Sequence, residues 1–477
     1  MAESRRQVAI AIDLNKCMGC QTCTVACKMF RTNDKGMDHM WWMKVNTMPG
    51  RGYPKDWERM GGGYQGNGKE AQPVLGKLPT IEDYGGVMEF NYEEVFYGGG
   101  GQQAHLVPKE KPTWGPNWAE DIGVGEYPNA YYFYLPRLCN HCFRPTCADV
   151  CPHGAIHKRD EDGVVLVEED KCGGCDTPVC MRACPYKEVW FNTERRVAQN
   201  CDACLQRIRA EVAPACVRQC PGRCIWIDFL DNEEGAVHKL VREWKVALPL
   251  HPEFNTGPNV YYIPPMAPPT LDEEGNVEEG KPRISLEYLR SLFGLRVEQA
   301  LQTLREEMAK RRRDPRESSE LMDLLIARRW QELLGPFPKD PSEVEVDTET
   351  GEIRLVDYLA TQDSGTVINP QVLKNQVVGG AICGAGFTLC EGLAFDEQTG
   401  RVINADLLDY KVLRAVDFPS ETRVLFGQSH DPVGPFGARS AGEAPAAVPV
   451  PAIAQAVYNA IRARVEPPMT PERVLRA

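Results

Sequence analysis

At 477 residues the chain has room for two or three domains, and 43% apolar with 25% charged residues is the make-up of a soluble globular protein. A formal charge of −13 argues against nonspecific nucleic-acid binding, which needs basic surface. Nineteen cysteines in so long a chain, bunched at repeated spacings, argue for metal ligation and against the disulfide scaffolds of short secreted domains.

Val8 to Asp13 reads as a short strand feeding a cysteine loop. The loop holds Cys17, Cys20, Cys23 and Cys27, spaced C-x2-C-x2-C-x3-C, and Thr24 to Phe30 reads as the helix that carries Cys27. Arg5-Arg6 precedes only Val8 to Ile12 before Asp13 interrupts, too short for a signal-peptide core, so no signal peptide is expected. No run of 18 apolar residues occurs, so no transmembrane helix is expected.

Residues 31–138 form an insertion of weak periodicity. Its glycine runs, Gly61 to Gly63 and Gly98 to Gly101, are not followed by Gly-Lys-Ser/Thr, and Gly68-Lys69 leads into Glu70. Flexible loops are therefore expected and not a phosphate cradle. A long irregular insertion is often a binding surface, to which Trp41 and Trp42 belong unless they are core aromatics.

Residues 139–220 are the densest stretch. Cys139, Cys142, Cys147 and Cys151 precede Pro152, and Cys172, Cys175, Cys180 and Cys184 precede Pro185. Both sets read C-x2-C-x4-C-x3-C-P. A further set, Cys201, Cys204, Cys216 and Cys220, precedes Pro221. Three cysteines on one tight loop can reach three irons of a cubane, while a fourth, one helical turn on, points to a second cluster. Two-cluster ferredoxins ligate in this crossed way. Four sets of four therefore imply four clusters in two ferredoxin-like modules. Structural zinc is the alternative for any C-x2-C pair, but zinc has no need of the C-x3-C-P tail. Short strands flanking Asp162-Gly163, at Ala155 to His157 and Val164 to Val167, predict a hairpin. Cys224 lies outside the sets and reads as a core thiol.

Apolar and aromatic patches continue through residues 237–265, as at Val260-Tyr261-Tyr262. A proline-rich, acidic linker follows from Pro264 to Glu279. Ser285 to Arg313 places Leu286, Leu289, Leu292, Phe293, Val297 and Leu301 close to a 3.6 period, and Ser318 to Leu334 is similar, so two helical stretches are expected. Arg311 to Arg313 fall in the last turn of the first, where they complement the helix dipole. Beyond Pro341 the chain is rich in Val, Ala, Gly and Pro and reads as mixed strands and helices.

Residues 7–335 resemble the iron–sulfur beta subunit of dimethyl-sulfoxide-reductase-family molybdoenzymes. The branch is that of respiratory nitrate reductase and of the enzymes for ethylbenzene, dimethyl sulfide, selenate, chlorate and perchlorate. The phrases that carry the likeness are Leu135-Pro136-Arg137-Leu138-Cys139, Gly154-Ala155-Ile156, Asp170-Lys171-Cys172, Cys184-Pro185-Tyr186-Lys187 and Gly222-Arg223. The helical segment Leu286 to Trp330 looks like that branch's tail. The resemblance implies that the outer motifs exchange ligands with each other, as do the inner ones. Cluster one would take Cys17, Cys20, Cys23 and Cys220, and cluster two Cys27, Cys201, Cys204 and Cys216. Cluster three would take Cys139, Cys142, Cys147 and Cys184, and cluster four Cys151, Cys172, Cys175 and Cys180. Much of the branch lacks cysteine at the position of Cys175 and holds [3Fe–4S] there. Cysteine here implies four [4Fe–4S] clusters, with one [3Fe–4S] as the alternative if the longer loop, Asp176 to Val179, swings Cys175 away.

Residues 344–472 resemble the C-terminal end of the molybdopterin-binding large subunit of xanthine-oxidase-type hydroxylases. The phrases are Asp363-Ser364-Gly365, Ile368-Asn369-Pro370, Gln376, Gly379-Gly380, Leu407 to Lys411, Gly434 to Ala438, Gly442-Glu443-Ala444-Pro445 and Pro471 to Leu475. The resemblance makes Glu443 the counterpart of a general base, the role of a carboxylate that takes a proton beside molybdenum. Cys383 stands where glutamine is expected, and only a fraction of that subunit is present. Molybdopterin is therefore not expected on this chain.

These readings give an α+β fold. Residues 1–265 form a four-cluster, ferredoxin-like electron-transfer domain with the 31–138 insertion. Residues 266–343 are linker and helical tail, and 344–477 are a mixed α/β partial domain. The expected function is an electron-transfer subunit, not itself catalytic, relaying single electrons between a molybdopterin-bearing catalytic alpha subunit and a haem b gamma subunit or membrane anchor. The alternatives are a fused molybdenum hydroxylase using Glu443 and a zinc-binding interaction module. Phrases such as Gly52-Tyr53-Pro54-Lys55-Asp56-Trp57 look closer to the branch's exported members. The expected location is the periplasm, by co-export with a partner that carries the signal, and the cytoplasmic face of the membrane is the alternative.

Overall fold

A computed structural model describes all residues except 1–5, 33–34, 67–69, 86–122, 315–318, 329, 338–341, 397, 408, 421 and 428–433. Gly98 to Gly101, Gly68-Lys69, Arg5, Ser318, Pro341 and Leu408 lie outside the described residues. The chain divides into two compact units, residues 1–29 with 35–338, and residues 30–34 with 339–477. It is a mixture of helices and small sheets. Among the described residues no helix is long and apolar enough to cross a membrane.

The first unit is built on a four-stranded sheet with Val8–Asp13 in its interior. This strand pairs antiparallel with Ile225–Phe229, Ile10 facing Ile227, and parallel with Val260–Ile263, Ile12 facing Tyr262. Leu248–Pro249 closes the far edge. All six residues of Val8–Asp13 are buried, which is why the run is continuously apolar and not alternating. Met43–Met48 pairs antiparallel with Phe133–Leu138, Val45 facing Pro136. The two ends of the insertion are thus tied together by regular structure, although periodicity barely hints at it. Trp41 and Trp42 are core residues, with 8% and 1% of their surface exposed. The binding-surface option for them falls.

The glycines at 61–63 are not loose. Gly63 N–H donates to the Ala183 carbonyl at 2.9 Å, and a Cβ on Gly62 would stand 2.7 Å from that same oxygen. The absent side chain lets this loop lie against the chain between Cys180 and Cys184.

Two hairpins follow, Ile156–Lys158 with Val165–Val167, and Val189–Asn192 with Val197–Asn200. In the first turn Gly163 takes φ +70°, and the Asp162 carboxylate accepts from Val164 N–H at 3.0 Å. The stretch expected as a linker instead contains a hairpin, Pro269–Leu271 with Val277–Pro282. The first helical stretch is two helices, Leu286–Phe293 and Val297–Arg313, broken at Gly294. The second is the helix Glu320–Ile326, capped by Ser319, and a 3-10 turn at Trp330–Leu333. Trp330 Nε1–H donates to the Ile225 carbonyl at 3.0 Å and docks the tail on the sheet.

The second unit has a three-stranded sheet. Ile353–Gln362 is its middle strand, antiparallel to Ser342–Val346 and parallel to Arg423–Phe426. Its long helix, Pro370–Leu389, starts where Asn369 accepts from the N–H groups of Gln371 and Val372, with Pro370 at the first helical position. Leu355, Tyr358, Ala381, Ala385, Ile453 and Val457 form the centre of this unit's own core.

Candidate metal centres

All nineteen cysteines are described, and none is joined in a disulfide. Sixteen of them fall into four spatial groups, each drawing on more than one sequence motif. The first group gathers Cys17, Cys20, Cys23 and Cys220 around a shared space that is walled by Val45, Pro136 and Ile225. The loop reaches this shape because Gly19 takes φ +66°, with a would-be Cβ 2.5 Å from the Tyr134 ring. The helix Thr22–Arg31 then carries Cys23 and Cys27 into different groups. Cys23 feels the charges of Cys17, Cys220 and Cys20, and Cys27 stands among those felt by Cys216.

The second group is Cys27, Cys201, Cys204 and Cys216. Cys216 is fully enclosed, and burial followed by the neighbouring Cys204, Cys27 and Cys201 pushes its thiol far up. Ala203 and Cys204 take left-handed conformations, φ +55° and +53°, which turn the chain back toward the group. Asp202 Oδ1 accepts the Cys204 N–H at 2.9 Å and holds the bend.

The third group is Cys139, Cys142, Cys147 and Cys184, of which all but Cys142 are buried. Burial lifts the Cys142 thiol to about 12 and those of Cys139 and Cys147 far up, with Cys184 among the charges that add to each. The sulfurs have donors: Glu188 N–H to Cys184 at 3.5 Å and Asn200 Nδ2 to Cys139 at 3.7 Å. Lys158 Nζ donates to the carbonyls of His141 and Cys142, both at 3.1 Å, and brings a cation to the edge of the group.

The fourth group, Cys151, Cys172, Cys175 and Cys180, rings a shared space. Cys175 lines that space with the other three. The longer loop after it is turned outward by Arg196, whose guanidinium donates to the Gly174 carbonyl at 2.7 Å and to Asp176 Oδ1 at 2.9 Å. Ala198 N–H donates to Cys172 at 3.3 Å.

Among the described residues no three His, Cys, Asp or Glu side chains converge closely enough to hold a single metal ion. A structural zinc asks four thiolates to stand about 2.3 Å from one ion. A cluster of several irons and sulfurs holds its thiolates further apart than a single ion does. Burial raises the thiols of Cys23, Cys147, Cys180 and Cys216, and a cation that binds there displaces their protons, so loading at these positions would be coupled to proton release.

Two features escape a reading by motif spacing. Cys224 shares the first group's space, its sulfur 3.3 Å from that of Cys220. It also bonds Cys17, and this holds the Cys17 thiol below its ordinary range. The interval Cys220-x3-Cys224 was the available signal. The second feature is an ionic triad beside the third group. Lys44 Nζ meets Glu188 at 2.5 Å and Arg137 meets it at 3.3 Å, with all three side chains buried. No spacing pattern links residues so far apart in the chain.

In the second unit Glu443 is exposed at the start of a short helix and makes no capping bond. Gln376 and Cys383 are exposed as well. A general base needs a defined reach to the proton it takes, and an exposed carboxylate has no such frame.

Residues 130–229 match the 4Fe-4S dicluster domain family and residues 340–419 match the molybdopterin cofactor-binding domain family. The beta subunit of selenate reductase from Thauera selenatis is 50% identical over 325 residues, which are 68% of this chain and 97% of that one. The beta subunit of dimethylsulfide dehydrogenase from Rhodovulum sulfidophilum is 49% identical over 69% of this chain and 98% of its own length. The beta subunit of respiratory nitrate reductase from Haloferax mediterranei is 50% identical over 67% and 90%.

Proposed function

Because the chain belongs to the iron–sulfur beta-subunit family of molybdenum oxidoreductases, we propose that its first unit relays single electrons through four iron–sulfur clusters, each a [4Fe–4S]. The observation that carries this reading is the exchange of cysteines between motifs. Cys220, from the last motif, joins the first loop, and Cys27, from the first motif, joins the last. Cys184 and Cys151 cross between the inner motifs in the same way. Such crossing places clusters in adjacent pairs, the arrangement of two-cluster ferredoxins. It supports two ferredoxin-like modules, one from the outer motifs and one from the inner. Cys175 in the fourth ring favours [4Fe–4S] there over [3Fe–4S].

Each cluster, when bound, supplies one-electron redox chemistry. The chain's own part is to hold the thiolates, exclude water and aim donors at sulfur. Amide N–H groups such as those of Glu188 and Ala198 favour the more negative, reduced state, and the buried cations Lys44 and Arg137 and the half-buried Lys158 act in the same sense. No acid–base group is required for such a relay.

The partner on one side is a molybdopterin-bearing catalytic subunit, as the beta-subunit relatives imply. On the other side we propose a haem b subunit or membrane anchor, with the complex in the periplasm after export beside a partner that carries the signal. The second unit, with Glu443 and Gln376 exposed, is proposed to hold no catalytic molybdopterin by itself, although its family is one that binds that cofactor. Metal analysis of anaerobically purified protein tests the whole reading. About sixteen irons per chain, no molybdenum and dithionite-induced low-temperature EPR signals are expected. Zinc in place of iron, or colourless EPR-silent protein, overturns it, and bound molybdopterin moves the catalytic role to this chain.

A further inference from the structure

We propose that Cys224 is a fifth sulfur at the first cluster site, a non-ligand thiol whose S–H donates to the Cys220 thiolate and raises that cluster's reduction potential. The inference rests on the reading of the first group as a cluster site. Its own basis is placement. Cys224 is 3% exposed, lines the same space as Cys17, Cys20, Cys23 and Cys220, and has its sulfur 3.3 Å from that of Cys220. Cys224 belongs to the first unit's apolar core and at the same time lines the cysteine-walled space.

The backbone explains why it stands there. After Cys220 the chain turns tightly, with the Arg223 N–H donating back to the Cys220 carbonyl at 3.2 Å and Arg223 at φ +48°. Gly222 passes so close to Lys16 that a Cβ would stand 2.8 Å from the Lys16 carbonyl oxygen. The Cys224 carbonyl then accepts from Asp13 N–H at 2.8 Å, and the next residue, Ile225, enters the sheet opposite Ile12. Cys224 is therefore fixed from both sides, and its side chain has little freedom to leave the site.

Either sulfur of the Cys220–Cys224 pair could donate as free thiols. With Cys220 bonded to iron its proton is gone, so Cys224 is left as the donor. A hydrogen bond to a ligand sulfur withdraws negative charge from the cluster. It stabilises the reduced state, which carries one more electron, relative to the oxidised state. Removing the donor must lower the potential. Cys224 is thus a tuning residue that acts through the ligand sulfurs it meets, Cys220 and Cys17, and contacts no iron.

The test uses anaerobically purified full-length protein, wild type against Cys224→Ala and Cys224→Ser. Iron is counted and the clusters are titrated with dithionite under EPR. Full iron content is expected in all three. One of the four potentials should shift lower in Cys224→Ala, with a smaller shift in Cys224→Ser, whose hydroxyl is still a donor. The near-isosteric serine variant also guards against a folding failure of the alanine one. Unmoved potentials at full iron content overturn the inference. So does loss of a whole cluster's iron from both variants, which would make Cys224 itself a ligand. Absence of iron from the wild type is a different result, and it removes the cluster reading itself.

Discussion

Lys44 and Arg137 are completely buried cations that share one buried carboxylate, Glu188. Burial pulls the Lys44 amine down to about 8, with Glu188 working against that pull. Arg137 is further held by Asn46 Oδ1 at 3.2 Å, by the carbonyls of Tyr53 and Tyr186 at 3.1 and 2.6 Å, and by the face of Trp57 at 3.5 Å. The triad joins the strand Met43–Met48, the strand Phe133–Leu138 and the turn after Cys184. Its members are unequal. Glu188→Gln leaves two buried cations without a counter-charge, a change that costs roughly 3–5 kcal/mol. Lys44→Met removes one cation and leaves Arg137 and Glu188 paired, so the loss should be much smaller. The apparent melting temperatures of the iron-loaded variants should fall in the order wild type, Lys44→Met, Glu188→Gln. Equal falls, or the reverse order, would show that the triad is not the unit described. Spacing patterns find residues that share a loop or a helix face. This triad depends on strand pairing between distant segments, and so lay beyond them.

Between elements, His251 clamps two 3-10 turns, Trp57–Arg59 and Pro252–Phe254. Its Nε2 meets Glu58 at 2.9 Å and its Nδ1 meets Glu253 at 2.7 Å, while the ring stacks on Phe254 at 5.0 Å. Burial pulls the imidazole down, but the two carboxylates outweigh it and the net shift is upward. A histidine raised in the folded state contributes stability in full below its unfolded value of about 6.5 and loses it as pH rises through the folded value. Wild-type melting temperature should therefore decline above that unfolded value, and His251→Gln should be less stable at about pH 6 with the gap closing toward about pH 9. A gap that stays constant with pH would mean the ring matters only for packing. Elements were legible where local chemistry marks them. The run Val8 to Ile12, the Asp162-Gly163 turn and the apolar faces after Ser285 each form the element their residues favour. The break at Gly294 was not legible, because the apolar period runs on through it. It takes φ +75°, and a Cβ there would stand 2.9 Å from Pro252 Cγ. The hairpin at residues 269–282 was hidden by its prolines and acids, which resemble a linker in composition.

For the whole molecule, the sixteen grouped cysteines and the second likeness fall on different compact units. The cysteine spacings made the number of groups legible, but which thiol joins which group is a tertiary fact that came from family resemblance. The second unit has its own core around Tyr358, Ala385 and Ile453, and it leaves large apolar side chains such as Val372, Leu407, Val416 and Phe436 exposed. No grouped cysteine lies beyond residue 220, and the tail docks on the first unit's sheet through Trp330. Cluster loading should then depend on residues up to 338 alone. A chain ended after residue 338 should bind the same iron per molecule as the full chain and show the same four potentials, because each potential is set by burial, donors to sulfur and nearby charge within that unit. Loss of even one cluster's iron on truncation would mean that the second unit helps to hold a centre, and the electron relay could no longer be assigned to the first unit alone.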